Sequence, residues 1–299
     1  MIKVCIAVIL ILAVLVFLLL MGLAGMVMTG KRQTIEEAFA WQSDHYDTSF
    51  YEGLQKEDYT VEGDGGYKLH VQYLQNPLKT DKYMIISHGY TDNRMGSLKY
   101  AAMYLDLGYH CIIYDLRGHG KNESAPTTYG ILEAKDLLCL IKDTKNRYKD
   151  LRILGLHGES LGSATTLTCL KYKPQVDFVV ADCGFSDLEN VLRGGFQSAH
   201  LPAFFLRAAS LGMKMRFHYA LEEMRPIDAL SDNTLPILFL HGASDDFILP
   251  KNSKDMAEVT KGYKEIHLIE GAGHAESVLH APKEYRTYVE AYLKSIGMQ

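Results

Sequence analysis

The sequence predicts an α/β fold, a mostly parallel sheet with helices on both faces, set behind one apolar N-terminal helix. Three observations predict it. Short continuous apolar runs recur at 83–87, 109–114, 151–156, 178–181, 237–240 and 266–269, as in strands buried on both faces. Most are separated by segments of helical length and period, at 95–105, 131–146, 160–172 and 252–260, so strands alternate with crossover helices. Residues 4–28 form an unbroken apolar run without a charge, although the mean hydropathy of the whole chain is only −0.06. The 299 residues are 47% hydrophobic, which permits one or two globular domains and excludes a disordered, collagenous or disulfide-stapled chain. With 31 Lys and Arg against 36 Asp and Glu, the net charge of −5 offers no basic field to a phosphate backbone and argues against nucleic acid as a partner.

Residues 4–28 would extend about 37 Å as a helix, enough to cross the ~30 Å hydrocarbon core with some tilt. A cleaved signal peptide is the rival reading, since Gly22-Leu23-Ala24 offers small residues to a peptidase. Its apolar region typically runs about 7–15 residues, however, and this one is longer. An uncleaved anchor over 1–30 is therefore expected. Lys3 and the amino terminus on one flank balance Lys31 and Arg32 on the other, so flanking charge does not set the orientation. Cys5 lies in the apolar run and Cys111, Cys139, Cys169 and Cys183 in apolar segments, where reduced thiols are the default.

A juxtamembrane segment, 31–58, follows. Its Phe39, Trp41, Tyr46, Phe50 and Tyr51 are expected to pack inward on the domain rather than lie in lipid. The catalytic domain is assigned to 59–299, opening with an antiparallel strand at 67–74 after the Gly65-Gly66 turn. About 55 residues separate the strands at 178–181 and 237–240, far more than a crossover needs. The excess, about 185–232 and apolar over 196–215, suits a cap over the site or an extra pair of core helices. No repeat or low-complexity tract interrupts the domain.

In parallel sheets of this kind functional residues gather in loops at the carboxyl ends of strands. Gly158-Glu159-Ser160-Leu161-Gly162 stands between the strand at 151–156 and a helix, so its glycines let a serine occupy a sharp, strained turn with its hydroxyl raised. A serine nucleophile needs a base, and the base an orienting carboxylate. His241-Gly242-Ala243-Ser244-Asp245 follows the strand at 237–240 and offers Asp245, with Asp246 and Asp182 as competitors. Of the twelve histidines only His267, His274 and His280 follow Asp245. His267 sits inside a strand and His280 on a helix beside Pro282. His274, in the Gly271-Ala272-Gly273-His274-Ala275 loop, is the one free to reach Ser160. The oxyanion hole is assigned to the backbone N–H groups of Leu161 and of Tyr90, the latter in His88-Gly89-Tyr90-Thr91-Asp92 after the strand at 83–87.

These blocks resemble the α/β-hydrolase superfamily. Asp115-Leu116-Arg117-Gly118-His119-Gly120 is similar to its loop after the fourth strand, and His-Gly-Tyr-Thr-Asp-Asn-Arg (88–94) is likewise a recurrent block. The order of blocks is similar to that of membrane-anchored bacterial hydrolases related to a serine aminopeptidase-like and lysophospholipase-like group, over about residues 60–292. The chain departs from the pattern at Lys121-Asn122, where a serine is common at the second position. The resemblance implies Ser160 as nucleophile, Asp245 as acid, His274 as base and a domain outside the cytoplasmic membrane.

The expected activity is that of a serine hydrolase cleaving an acyl or lipid-like carboxylic ester, with no metal or cofactor. Neither a Gly-Lys-Ser/Thr phosphate loop, nor a GxGxxG after the first strand, nor an HExxH helix occurs. An aminopeptidase or amidase with the same triad remains open, with Glu159, Glu222 and Glu223 as candidate partners for a substrate amine. A non-catalytic binding protein on the same fold is the third reading.

Overall fold

The computed structural model describes residues 1–198, 200, 202 and 204–298. Eight strands form one sheet in the order β1-β2-β4-β3-β5-β6-β7-β8. They are β1 (Lys56–Glu62), β2 (Lys68–Leu74), β3 (Lys82–Ser87), β4 (His110–Tyr114), β5 (Ile153–Glu159), β6 (Phe178–Asp182), β7 (Ile237–Gly242) and β8 (Lys264–Ile269). β1 and β2 pair antiparallel, as do β2 and β4, and every later pair is parallel. The helices are α1 (Ile2–Met28), α2 (Ile35–His45), α3 (Ser49–Gly53), α4 (Leu98–Asp106), α5 (Ile131–Arg147), α6 (Leu161–Cys169), α7 (Leu188–Ser198), α8 (Phe204–Phe217), α9 (Lys251–Val259), α10 (Ser277–His280) and α11 (Pro282–Ser295).

Alternation along each strand builds two cores. Ile85 and Ile112 face α5 and α6, while Met84, Ile86, Cys111 and Ile113 face α4 and α11. Both faces are therefore apolar, which is why these strands read as continuous runs. β1 carries no such run. It is an edge strand whose Lys56, Glu57 and Asp58 meet solvent, and charge on an edge discourages pairing with another chain. α4 is shorter than the helical pattern at 95–105, because Arg94–Ser97 forms a tighter 3₁₀ turn capped by the Asn93 side chain. α6 likewise ends at Cys169, and Leu170–Tyr172 tightens into 3₁₀ geometry.

α2 opens with a reciprocal capping box between Thr34 and Glu37. Phe39, Tyr46, Phe50 and Tyr51 pack against the second core, whereas Trp41 stays exposed and stacks on His45. α7 and α8 belong to neither sheet face. With the end of α1 they form a third apolar cluster including Ala24, Met28, Leu188, Leu206 and Met213. Ala199, Leu201 and Ala203, in the interval expected to form a cap, lie outside the described residues. The five cysteines are unpaired.

Strand order supplies the site. β4 lies on one side of β3 and β5 on the other, so the loops after β3 and β5 diverge and leave a crevice at their carboxyl ends.

Candidate active site

Ser160 occupies that crevice at φ +52° and ψ −110°, an unfavourable backbone for a residue with a Cβ. Close packing holds it there. A Cβ on Gly158 would collide with the Gly162 carbonyl, and one on Gly162 with the Ser87 carbonyl at the end of β3. The turn is thus pressed against the neighbouring strand, and only glycine fits at both flanks. The Ser160 N–H donates to the Asp182 carbonyl (2.9 Å), tying the turn to β6.

His274 reaches over from the loop after β8. Its Nε2 lies 3.0 Å from Ser160 Oγ and its Nδ1 2.7 Å from Asp245 Oδ2. In the tautomer this geometry favours, Nδ1–H donates to Asp245 and Nε2 accepts the serine proton. Asp245 Oδ1 accepts from the Phe247 (3.0 Å) and Ile248 (2.8 Å) amides. Burial pushes its carboxyl pKa up, but hydrogen bonds from His241, His274 and Ile248 outweigh that and hold it below the usual carboxylate range. The group is ionised wherever an imidazole can act as a base.

His241 stands behind Asp245. Its Nε2–H donates to the Ile248 carbonyl (2.7 Å) with Asp245 Oδ2 at 3.1 Å, and its Nδ1 accepts from Ser253 Oγ (2.7 Å). The sequence contains this residue four positions before Asp245, but gives no sign that its ring turns back along the loop. The competing residues lie elsewhere. Asp246 is exposed, Asp182 bonds the Tyr100 and Tyr285 hydroxyls (3.0 Å each), and His267 stacks on Tyr288. His280 sits on α10.

Two backbone amides flank the serine. Leu161 is the first residue of α6, so its N–H is one that a helix leaves free. Among the described residues neither it nor the Tyr90 N–H donates to another protein group. The Tyr90 loop is built rigidly. His88 Nδ1–H donates to the Gly89 carbonyl (2.7 Å) and Nε2 accepts from the Leu116 amide (2.9 Å). Burial pushes the His88 pKa down, which keeps the ring neutral for this pair of bonds. Arg94 Nη1 reaches Asp115 Oδ2 (2.5 Å), so the two recurrent sequence blocks clamp one another. Asn122 bonds the His70 amide (2.8 Å) and the Asp115 carbonyl (2.7 Å), so it closes the turn on which a serine is more usual.

A buried polar cluster supports the site from below. Lys99 pairs with Glu159, beside the serine, and donates to the Ala275 carbonyl, beside the histidine (3.1 Å). Tyr100 Oη donates to Glu159 (2.5 Å). Burial pushes Lys99 down and the adjoining Glu159 carboxylate more than offsets it, so its pKa is raised. Asp182 is pushed up to about 6 by burial and by Glu159. Sequence reasoning did not find this cluster, since its members come from four separate segments.

Above Ser160 opens a cavity of about 330 Å³ with an almost wholly apolar lining, including Phe185, Leu188, Val191, Phe247 and Ile248. The candidate amine-binding carboxylates do not line it. Glu159 is taken by Lys99 and Tyr100, Glu222 by Ser210 (2.7 Å) and Glu223 by Lys214 (2.6 Å).

Comparison with known proteins agrees with the architecture. Residues 84–287 match the alpha/beta hydrolase family. The chain is 30% identical over 278 residues, 91% of each chain, to an uncharacterized protein of Bacillus subtilis, YqkD. Among solved structures it is similar to the Pyrococcus furiosus esterase Pf2001, with TM-score 0.69 and 22% identity over 83% of this chain and 94% of that one. An esterase from Exiguobacterium antarcticum aligns with TM-score 0.59 and 17% identity, over 80% of this chain and all of that one. A Pyrococcus horikoshii acylaminoacyl peptidase aligns with TM-score 0.62 and 13% identity, over 83% of this chain but 42% of that one.

Proposed function

The chain belongs to the alpha/beta hydrolase family, and we propose that it is a serine hydrolase cleaving a carboxylic ester. The observation that carries the reading is the hydrogen-bonded series Ser160–His274–Asp245, at 3.0 and 2.7 Å, beside two free amides. Ser160 Oγ attacks the ester carbonyl while His274 Nε2 takes its proton. Negative charge develops on the carbonyl oxygen, where the Tyr90 and Leu161 amides receive it. The alcohol leaves with the proton from His274, and an acyl-serine remains. Water then gives a proton to His274 as its oxygen attacks the acyl carbon. The acid departs and Ser160 regains its proton. Asp245 holds the imidazole in register and stabilises its charged form.

The ester is favoured over a peptide by the apolar cavity and by the engagement of Glu159, Glu222 and Glu223 elsewhere. Residues 1–30 anchor the chain, 31–58 join it to the domain and already enter β1 at Lys56, and 59–299 form the rest of the catalytic domain with a cap over about 185–232. α1 crosses the membrane and the domain faces away from the cytoplasm. One apolar helix, Ile2–Met28, long and apolar enough to cross a membrane, supports the anchor.

A fluorophosphonate probe tests the nucleophile. It should label the wild-type protein and fail to label Ser160→Ala, and a folded wild type that takes no label would overturn the reading. p-Nitrophenyl esters set against aminoacyl anilides test the substrate class, with esters expected to be turned over faster. Protease added to intact cells should remove the domain, and protection would reverse the topology.

A further inference from the structure

The cavity over Ser160 has a wall that the sheet and its crossover helices do not supply. Leu23, Met26 and Val27, from the last two turns of α1, line it together with Phe185 and Ile248. We infer that the end of the N-terminal helix is a specificity-determining part of the substrate site, and that the substrate is an ester of a single acyl chain drawn from the bilayer. The inference rests on the serine-hydrolase reading and adds to it the substrate class and the route of entry.

α1 is divided along its length. Residues 2–19 are exposed throughout, a length of about 27 Å, close to the ~30 Å hydrocarbon core. From Leu20 onward the same helix packs into protein. Spacing separates two faces there. Leu20, Ala24 and Met28, four apart, face the cap, while Leu23 and Val27, also four apart, face the cavity with Met26 beside them. Gly212 of α8 has no room for a Cβ against the Leu20 carbonyl, so the two helices touch backbone to side. Arg216 Nη1 donates to the Met21 carbonyl (3.0 Å).

The helix end is also fastened to the catalytic loops. Tyr129 Oη donates to the Val27 carbonyl (2.6 Å) and the Thr127 amide to that of Met28 (2.8 Å). The Gly30 amide donates to Tyr90 Oη (3.1 Å), on the residue whose own amide faces the reacting carbonyl. The Tyr90 and Tyr129 rings stack at 5.6 Å. A helix held in lipid by its first five turns is therefore bound by its last two to the oxyanion loop.

The apolar surface continues onto the cap. Phe204, Leu211 and Met215 are exposed on α8, and their spacings of seven and four put them on one helix face. With α1 beside them, they extend the lipid-facing surface to the edge of the cavity. At about 330 Å³ the cavity is at the small end of ligand sites, suited to one acyl chain with the reacting carbonyl at Ser160. The bonds that form and break are those of the hydrolysis above, with water as co-substrate.

The test uses full-length protein in phospholipid nanodiscs, assayed with p-nitrophenyl esters of increasing acyl length. kcat/KM should rise about fourfold per methylene until the cavity is filled. Val27→Phe, by displacing two methylenes, should lower the ratio of long-chain to acetyl turnover about fifteenfold. Leu23→Ala should instead move the optimum to longer chains, and it serves if the larger side chain prevents folding. Variants that take the fluorophosphonate label yet keep the wild-type length profile would overturn the role of the helix. A wild-type protein that takes no label would contradict the hydrolase reading itself. A single-chain acyl ester sharing a disc with the protein should be hydrolysed faster than the same ester in separate discs. Equal rates would overturn delivery from the bilayer.

Discussion

The two sides of the cleft at Ser160 are held by different physics. Below it, the loops after β3, β5, β7 and β8 are fixed by directional contacts: Arg94 on Asp115, Lys99 on Glu159, His241 behind Asp245, and glycines where a Cβ would strike a neighbouring carbonyl. Above it, α1, α7 and α8 meet through an apolar cluster, with hydrogen bonds confined to the backbone at the end of α1 among those described for that helix. Directional contacts fix atoms to within tenths of an ångström, as proton transfer requires. Apolar packing tolerates changes of size, as a wall against the proposed acyl chain requires. Substitutions below should therefore abolish turnover, and substitutions above should change which substrate is preferred.

The largest effect is expected at His274. His274→Ala should lower kcat by about 10⁴–10⁶-fold with little change in thermal stability, because removing one member of such a unit costs nearly as much as removing all. A loss below tenfold in steady-state ester hydrolysis would show that another base serves Ser160. Next comes the buried pair beneath the site. Lys99→Ala leaves Glu159 uncompensated, and breaking a buried pair costs about 3–5 kcal/mol. Chemical denaturation should report that loss. The activity that remains should also fall, because Lys99 holds the carbonyl next to His274.

Asp182 should tie stability to pH. Its pKa is pushed up to about 6 from an ordinary value of 3.8. A raised carboxyl favours the fold at low pH, and that benefit is lost as pH rises through about 4 to 6. Asp182→Asn, which keeps one oxygen to accept from the Tyr285 hydroxyl, should recover up to about 3 kcal/mol at pH 8 and little at pH 4. Unfolding curves at the two pH values check the sign. The smallest effect belongs to the joint between the two sides. Tyr90→Phe removes the bond from the Gly30 amide, worth about 1 kcal/mol. It should lower the melting temperature slightly and leave the preference among chain lengths in place.

The same contrast governs what could be read from the residues alone. Six of the eight strands were legible as continuous apolar runs and β2 from its alternation after the Gly65-Gly66 turn, whereas β1 shows only an alternating Tyr59 and Val61 among charges. Ser160, Asp245 and His274 were legible because each occupies a short block at a strand end, where local glycines and loop position carry the information. Lys99, Tyr100 and His241 were not, because their roles come from contacts between segments far apart in the chain or from a side chain turning back on its own loop. The place of α1 in the cavity wall was hidden for a related reason. Leu23, Met26 and Val27 have the same apolar character as the exposed residues before them, and only the docking of α8 divides the helix in two.

The central claim is that Ser160 carries the acyl group between the two half-reactions. Rapid quenching of wild-type protein with a p-nitrophenyl ester, followed by peptide mass analysis, tests it most directly. The account predicts one acyl adduct on the peptide containing Ser160, and none in Ser160→Ala. An adduct on another residue, or steady turnover by Ser160→Ala, would contradict it.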